Sequence, residues 1–435
     1  MICKTKIIFV KIAQRRLEAF FFNLTKPAGF HYNKIKETEA KMKRILVEFY
    51  SQRPPENLIS LLTEHYDGAY FLYFTRENAP SPQKRMRITQ ALNEVLNFSP
   101  VFVAVDVSTI EAVLEKFSSI ITKENQYEID ITGGNELFIA AAGIFLSQNP
   151  DISIHLHRYD IPTETLLCRY PEMEKEASLF TKYLKVPQIL SLGGTPALSA
   201  PRYQFSFGPL RSEILRLWNA VKACPKDWNN YCSLPADPMG NKDAMTQKCI
   251  GTLQNQKSCY GVIAQRLKAA GIMKNERSRN IHGRIYMEFD LDVPREAQFL
   301  YDKAGTLLEM YGALAAFDSD LFHDIRVGVT VDWNGSIAPQ YKPDPRNELD
   351  LVLMRGNLPV MASCKNTLPE NDYLYEISTM ANHYGGQFAT PMLLASGTAS
   401  PTVRERAKEM GIVLIDRIRT MPYDHFVAEL KRRFS

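Results

Sequence analysis

Five short apolar runs recur along the first half of the chain: Arg44–Phe49, Tyr70–Phe74, Val101–Val105, Tyr127–Ile131 and Ile152–His157. Each is rich in Val, Ile, Phe or Tyr, the residues that suit an extended, buried backbone. Between them lie stretches long enough for helices: Pro55–Tyr66, Ser81–Asn97, Thr109–Thr122 and Asn135–Ser147. Strand-length runs alternating with helix-length segments predict a mostly parallel sheet covered by helices on both faces. The fold class expected is α/β, with a Rossmann-like sensor or enzyme domain at residues 42–186.

The pattern then changes. Pro187 to Pro201 is rich in Gly, Pro and Ser and reads as a joint between domains. Helical patterns follow at Leu210–Ala223 and Ala244–Ala270, around a polar loop. Gly271–Arg284 carries Lys274, Arg277, Arg279, His282 and Arg284, with Lys268 flanking it. A helix followed by a basic hairpin suits a winged-helix-like linker, and a solvated connector fits the same pattern. This middle region spans 187–285.

Residues 286–435 form a third unit. It begins with a helix at Glu296–Ala316 and strands near Ile325–Val331, Asp350–Met354 and Val360–Lys365. A helix at Tyr373–Tyr384, a strand at Phe388–Ala395, a helix at Pro401–Met410, a strand at Ile412–Ile415 and a helix at Asp424–Arg433 complete it. No repeat or low-complexity tract interrupts the series.

Composition narrows the picture. The chain has 435 residues, 45% of them apolar and 23% charged, which is the profile of a globular protein with more than one core. The net charge of +4 permits a nucleic-acid partner without arguing for one, because binding to phosphates needs clustered charge. Residues 1–41 hold nine Lys and Arg against three Glu, more than the whole excess. Lys11, Arg15 and Arg16 divide their apolar patches, so neither an export signal nor a membrane span is expected. A clean strand starts at Met42, which marks residues 1–41 as an extension outside the native start or only loosely attached. Seven cysteines without an export signal fit a reducing cytoplasm. Four fall between Cys224 and Cys259 with no Cys-x-x-Cys pair, so ordinary thiols are expected there rather than zinc.

Candidate chemistry concentrates near the C-terminus. Asn347-Glu348-Leu349-Asp350, a turn at Arg355-Gly356-Asn357, and Pro359 to Asn366 read as a hairpin. Residues two apart on a strand share a face, so Ser363 and Lys365 point one way and Cys364 the other, toward the core. If Asp350 joins the first pair, one hairpin presents a carboxylate and an ammonium to one point. Such a pair suits phosphodiester cleavage: the carboxylate holds a hard cation, and the lysine orients hydroxide or offsets charge in the transition state. Glu309 on the preceding helix and Glu376 on the following one are further carboxylates. The bland alternative is that Asp350 and Lys365 are edge charges that guard the sheet.

In the first unit, Ile129-Asp-Ile-Thr-Gly-Gly-Asn135 ends a strand and opens a helix. Paired glycines admit backbone N–H groups to a ligand, and a helix N-terminus favours phosphate. A tight strand-to-helix turn without a ligand fits equally well, and the Gly-x-Gly-x-x-Gly fingerprint is absent. Ser51 and Gln52 after the first strand, and Thr75 and Arg76 after the second, would share its rim with Thr132, Gly133, Gly134 and Asn135.

Gly305-Thr-Leu-Leu-Glu309, Asp332-Trp333, Asn347-Glu-Leu-Asp350, Ser363-Cys-Lys-Asn366 and Tyr384-Gly-Gly386 occur in that order. Together they resemble the PD-(D/E)xK restriction-endonuclease-like domain of the CRISPR ancillary nucleases activated by cyclic oligoadenylate. Thr-Gly-Gly after the fourth strand resembles the CARF sensor domain (CRISPR-associated Rossmann fold). The resemblance implies a CARF domain followed by a restriction-endonuclease-like α/β domain. It makes Asp350 and Glu309 ligands of Mn or Mg and Lys365 the motif lysine. The acidic residue expected two before that lysine is Ser363 here, which leaves one ligand missing or supplied by Glu348 or Glu376.

The resemblance further implies a homodimer whose CARF domains share one pocket for cyclic tetra-adenylate, and a nuclease acting on single-stranded DNA or RNA in type III CRISPR antiviral defence. A two-fold ligand across a two-fold dimer is a natural arrangement. The competing reading is a nucleotide-sensing, DNA-binding regulator that uses segment 268–284 beside an inactive nuclease-like domain. A sensor that degrades its own activator ranks last, because residues 43–135 offer it no catalytic group.

Overall fold

The apolar runs of the first half pair in parallel and leave their polar connections at the two ends of one sheet. The computed structural model describes residues 42–51, 58–160, 165–170, 182–193, 195–206, 208–232, 248–252, 261–281, 284–332 and 346–434. Its first half contains β1 (Arg44–Phe49), β2 (Gly68–Phe74), α1 (Pro82–Leu96), β3 (Val101–Val105), α2 (Ile110–Ile120), β4 (Gln126–Asp130), α3 (Glu136–Gln148), β5 (Ile154–Asp160) and β6 (Thr165–Tyr170). The sheet runs β3-β2-β1-β4-β5-β6. Its first five strands are parallel, and β6 closes the edge antiparallel to β5.

Alternation along β1 sorts the two faces. Val47 and Phe49 pack with α2 and α3, while Leu46 packs with α1. The helices start where side-chain caps are available: Ser81 accepts from the Lys84 N–H, Thr109 from Ala112 and Asn135 from Leu137. The sequence pattern predicts a helix at Pro55–Tyr66, part of which lies outside the described residues. The described part holds only a single 3-10 turn, Ser60–Leu62, with all three residues buried. The Ser60 hydroxyl donates to the Asp130 carboxylate there, and this tertiary bond takes the place of a longer helix.

The middle of the chain forms α4 (Val186–Leu192), β7 (Ala197–Ser199), α5 (Pro209–Val221), α6 (Pro225–Cys232), β8 (Lys248–Thr252), α7 (Gly261–Ala269), β9 (Met273–Ile281) and β10 (Arg284–Leu291). The basic hairpin is present as β9 and β10, and β8 joins it in an antiparallel sheet ordered β8-β10-β9. The helix expected over Ala244–Ala270 is corrected: its described part is the strand β8 and the shorter helix α7. Pairing with β10 outweighs the local helical pattern around Ile250, as tertiary structure commonly does. Residues Cys259 and His282 lie outside the described residues.

The C-terminal part contains α8 (Thr306–Asp318), β11 (Asp324–Asp332), β12 (Arg346–Arg355), β13 (Leu358–Lys365), α9 (Asn371–Gly385), β14 (Thr390–Ala395), α10 (Pro401–Glu409), β15 (Val413–Ile415) and α11 (Tyr423–Phe434). The single helix expected at Glu296–Ala316 is divided into a 3-10 segment, Arg295–Tyr301, and α8, with Gly305 capping the latter. The sheet runs β15-β14-β13-β12-β11-β7. Strands β11 to β13 are antiparallel, and β13 to β15 are parallel. The expected α/β class is therefore the observed one, a Rossmann-like sheet preceding a mixed sheet of a different topology.

The expected joint is built into the second sheet and packs against a helix of the first. Strand β7 pairs with β11, and α4 packs in one continuous core with Ala91 and Leu92 of α1, Val352 of β12 and Ile377 of α9. Asp324 accepts from the Val186 N–H at 2.9 Å, and the Asn357 side chain accepts from Leu184 N–H at 2.7 Å. The two sheets thus share one buried cluster among the described residues. No helix among the described residues is long and apolar enough to cross a membrane.

Leu190 on α4 is fully buried in this shared core. Leu190→Ala is expected to cost about 2–5 kcal/mol, by lost burial plus the cavity left behind. Calorimetry should show a lower melting temperature for the regions on both sides of α4; an unchanged transition would contradict the shared core.

Candidate active site and ligand rim

The hairpin β12–β13 carries the candidate catalytic groups, and a kink in its neighbour sets their direction. Gly328 of β11 adopts φ +63°, in the left-handed region. On one side of it Val327 pairs with Leu351, and both face the core beneath α8. On the other side Val329 pairs with Leu349, and both face the core shared with α4. The apolar face therefore changes sides at this point. Asp350 lies at the changeover, where a half-buried carboxylate can reach the sheet's end.

Asp350 is fixed from β13. The Cys364 N–H donates to its Oδ2 at 2.7 Å, and the Ser363 hydroxyl donates to the same oxygen at 3.2 Å. Burial pushes the Asp350 carboxyl up, while the Cys364 and Ser363 bonds and the Lys365 ammonium oppose the shift. Lys365 lies 3.4 Å from the Glu376 carboxylate of α9 and 4.9 Å from the centre of the Tyr373 ring. Glu348, Asp350, Ser363 and Glu376 line one small recess. Cys364 is buried in the core, where its thiol is held well above the ordinary range, so it is a packing residue rather than a nucleophile.

Glu309 enters from the first turn of α8. A methyl group at Gly305, one turn earlier, would come within 2.9 Å of its Oε1, so the glycine leaves room for the carboxylate. Burial, then the charges of Asp350 and Glu348, push the Glu309 carboxyl up to about 8; Lys303 and Lys365 offset this only in part. The structure therefore brings Glu309, Asp350 and Lys365 together. No group of three or more His, Cys, Asp or Glu side chains placed to hold a metal ion occurs among the described residues. The excess of negative charge around Glu309 and Asp350 nevertheless suits a hard cation, which would remove the repulsion that raises Glu309.

Tyr203 beside Glu309 and Asn229 beside Asn366 were not legible in the sequence. Glu309 raises the Tyr203 hydroxyl, after burial, and the Asn366 amide donates to the Asn229 side chain at 2.9 Å. The latter two residues are 137 positions apart. Nothing in their local pattern marks them, because each takes its role from a distant element. Trp333 of the motif Asp332-Trp333 lies outside the described residues.

The second candidate site is the carboxyl end of the first sheet. Strand order reverses between β1 and β4, and ligands of open α/β sheets gather at such a point. Ser51, Thr75 and Thr132 follow the adjacent strands β1, β2 and β4, with Arg76 exposed next to Thr75. Gln52 lies outside the described residues. Asp130 accepts from the Thr132 N–H at 2.7 Å and from its hydroxyl, which accepts in turn from the Tyr159 N–H at 2.7 Å. Asn135 spends its side-chain oxygen on the Leu137 N–H at 2.8 Å, capping α3. Both side chains thus build the turn, and Gly133 and Gly134 span it.

Gly134 has φ +96°, and a Cβ there would lie 2.4 Å from the Cβ of Phe49. The sequence alone suggests that a change at Gly134 or Asn135 would weaken activation and leave the nuclease fold unharmed. The close approach to β1 shows that a change at Gly134 would also strain the sensor domain.

Comparison with known proteins places this arrangement among solved folds. Protein VC1899 from Vibrio cholerae superposes with a TM-score of 0.64 at 15% identity, covering 90% of this chain and 98% of its own. Can2 from Sulfobacillus thermosulfidooxidans, solved in complex with cyclic tetra-adenylate, superposes with a TM-score of 0.61 at 14% identity, covering 90% and 99%. At this identity the likeness is one of fold, and it extends over both sheets. No protein-family model matches the chain. No curated protein matches it.

The raised Glu309 carboxyl has a measurable consequence in chelator. Its folded value is about 8 against an ordinary 4.5, so the neutral form is favoured on folding. That contribution is fully present below the ordinary value and is lost as pH rises through about 8. Relative to Glu309→Gln, the wild type should therefore lose thermal stability steadily between these limits. A difference between the two that stays constant with pH would contradict the buried carboxylate pair.

Proposed function

We propose that the chain is a metal-dependent endonuclease, switched on by a cyclic oligoadenylate bound at the rim of the first sheet. The observation that carries this reading is the meeting of Glu309, Asp350 and Lys365 around one hairpin. The fold shared with Can2, whose structure contains cyclic tetra-adenylate, supports the sensor half. The motif resemblance adds the context of type III CRISPR defence, a homodimer, and a substrate of single-stranded DNA, RNA or both, with nicking of duplex DNA included.

Asp350 and Glu309 would hold Mn or Mg, which when bound supplies Lewis-acid activation of water and of the phosphodiester. The chain's own groups do the remaining work. Cys364 N–H and the Ser363 hydroxyl orient the Asp350 carboxylate. Lys365, held between Glu376 and Tyr373, offers a positive charge to the non-bridging oxygens as negative charge builds on them. Ser363 occupies the place of an acidic ligand, and either Glu348 or Glu376, which line the same recess, would supply the missing carboxylate.

Ligand would act by differential affinity, binding more tightly to the arrangement in which the nuclease halves are competent. A contact path that would support this reading starts at Thr132, whose hydroxyl ties the turn to Tyr159. Tyr159 in turn packs its ring 6.0 Å from Phe388, directly after α9.

Asp350→Ala and Lys365→Ala are each expected to reduce cleavage of labelled single strands in manganese by at least about 100-fold, the scale of removing a transition-state charge stabiliser. Binding of cyclic tetra-adenylate, measured by calorimetry, should persist in both. Undiminished cleavage by either variant would refute the site. Tight activator binding by a wild type that cuts nothing would favour the regulator reading, with Ser363 as the defect.

A further inference from the structure

The last sheet ends in an exposed edge whose chemistry the catalytic site does not use. Among the described residues strand β15 pairs only with β14, and α10 and α11 rise on either side of it. Between them lies a cleft of about 660 Å³ lined by Arg404, Lys408, Arg417, Arg432 and Arg433. Two carboxylates share the lining, Asp416 and Glu429, which leaves three positive charges in excess. Asp416 is buried and holds Arg404 at 2.5 Å while accepting from the Ala399 N–H, so this pair is structural. Glu429 aligns Arg432 and Arg433 at 2.6 and 2.9 Å, which presents two guanidinium groups together. Arg417 and Arg432 remain more than half exposed, at 57% and 62%.

The cleft adjoins the catalytic rim. Ser396 N–H donates to the Lys365 carbonyl at 3.0 Å, and Arg417 N–H donates to the Gly397 carbonyl at 2.7 Å. The parallel strands β13, β14 and β15 thus end side by side, with Lys365 on the first and Arg417 after the last. Two strand spacings place the mouth of the cleft roughly 10 Å from the Lys365 backbone.

We propose that this cleft is a binding track for the sugar-phosphate backbone of a single-stranded nucleic acid, leading to or from the catalytic hairpin; the proposal rests on the nuclease reading. Four of its five cations are arginines, whose planar forks match phosphate oxygens in pairs. Among the described residues the cleft offers no aromatic lining on which a base could stack, so it holds the backbone and is indifferent to sequence. A peptide strand added to the β15 edge is disfavoured, since that strand has only three residues and charged flanks.

The test measures anisotropy of a labelled oligothymidylate on the full-length chain in chelator, with cyclic tetra-adenylate present, across a salt series. The triple variant Lys408→Glu, Arg417→Glu, Arg432→Glu spares the structural Arg404. It should bind more weakly, with a salt dependence shallower by about 2, because each phosphate neutralised on a single strand adds about 0.7 to the slope. Lys123→Glu, on the first sheet's domain, should change neither quantity. If the triple variant melts early, Lys408→Ala with Arg432→Ala replaces it, with a slope change about two-thirds as large. Wild-type affinity and slope in the folded variant would overturn the track, as would equal competition by polyglutamate. A cleft that binds DNA in a wild type that never cleaves would remove the nuclease reading, and with it the role of the cleft as a track to the hairpin. Normal cleavage and binding in the variant would overturn the track and leave the nuclease reading standing.

Discussion

Two partly buried carboxylates, Asp350 fixed on the hairpin and Glu309 on α8 within reach of its charge, are the constraint around which the C-terminal half is arranged. Asp350 is kept in place by a backbone N–H and a serine hydroxyl, and its charge acts on Glu309 in the first turn of α8. Burial first, and then the charges of Asp350 and Glu348, raise the proton affinity of Glu309, and a cation nearby would relieve that repulsion. The Gly328 kink, the room left by Gly305 and the buried Cys364 all serve that placement. On the proposed reading the same frustration is what makes the site competent: the electrostatic cost in the empty site becomes binding energy for a divalent ion.

The first sheet solves a different problem with similar means. Its rim is built from a turn whose polar side chains are consumed in holding its own shape, Thr132 by Asp130 and Tyr159, Asn135 by the start of α3. A turn so fixed presents backbone groups in a preset direction. The shared core around α4 then ties the two sheets together, so that a change at the rim has a packed route toward α9 and the hairpin. Continuity of packing permits such coupling, and differential ligand affinity would have to drive it.

Much of this was legible in the sequence, for definite reasons. The β1–β5 runs alternate with capped helices, and Ser81, Thr109 and Asn135 mark the helix starts as expected. The candidate hairpin was legible because its turn, Arg355-Gly356-Asn357, separates two long apolar strands. Where long-range pairing decides, the pattern misled. The segment Ala244–Ala270 contains a strand because β10 lies beside it, and Glu296–Ala316 breaks where Gly305 makes space for a side chain one turn on. The switch of faces at Gly328 and the Asn229–Asn366 bond cannot be seen locally at all. The basic cleft was equally hidden, since its cations come from α10, the end of β15 and α11, each unremarkable by itself.

Wild-type cleavage of labelled single-stranded DNA and RNA in manganese, with and without cyclic tetra-adenylate, tests the central claim most directly. The account predicts cutting that depends on the activator and is abolished by chelator. Activator-independent cutting would break the link between rim and hairpin. No cutting under any of these conditions, in a chain that binds the activator, would contradict the catalytic assignment of Glu309, Asp350 and Lys365.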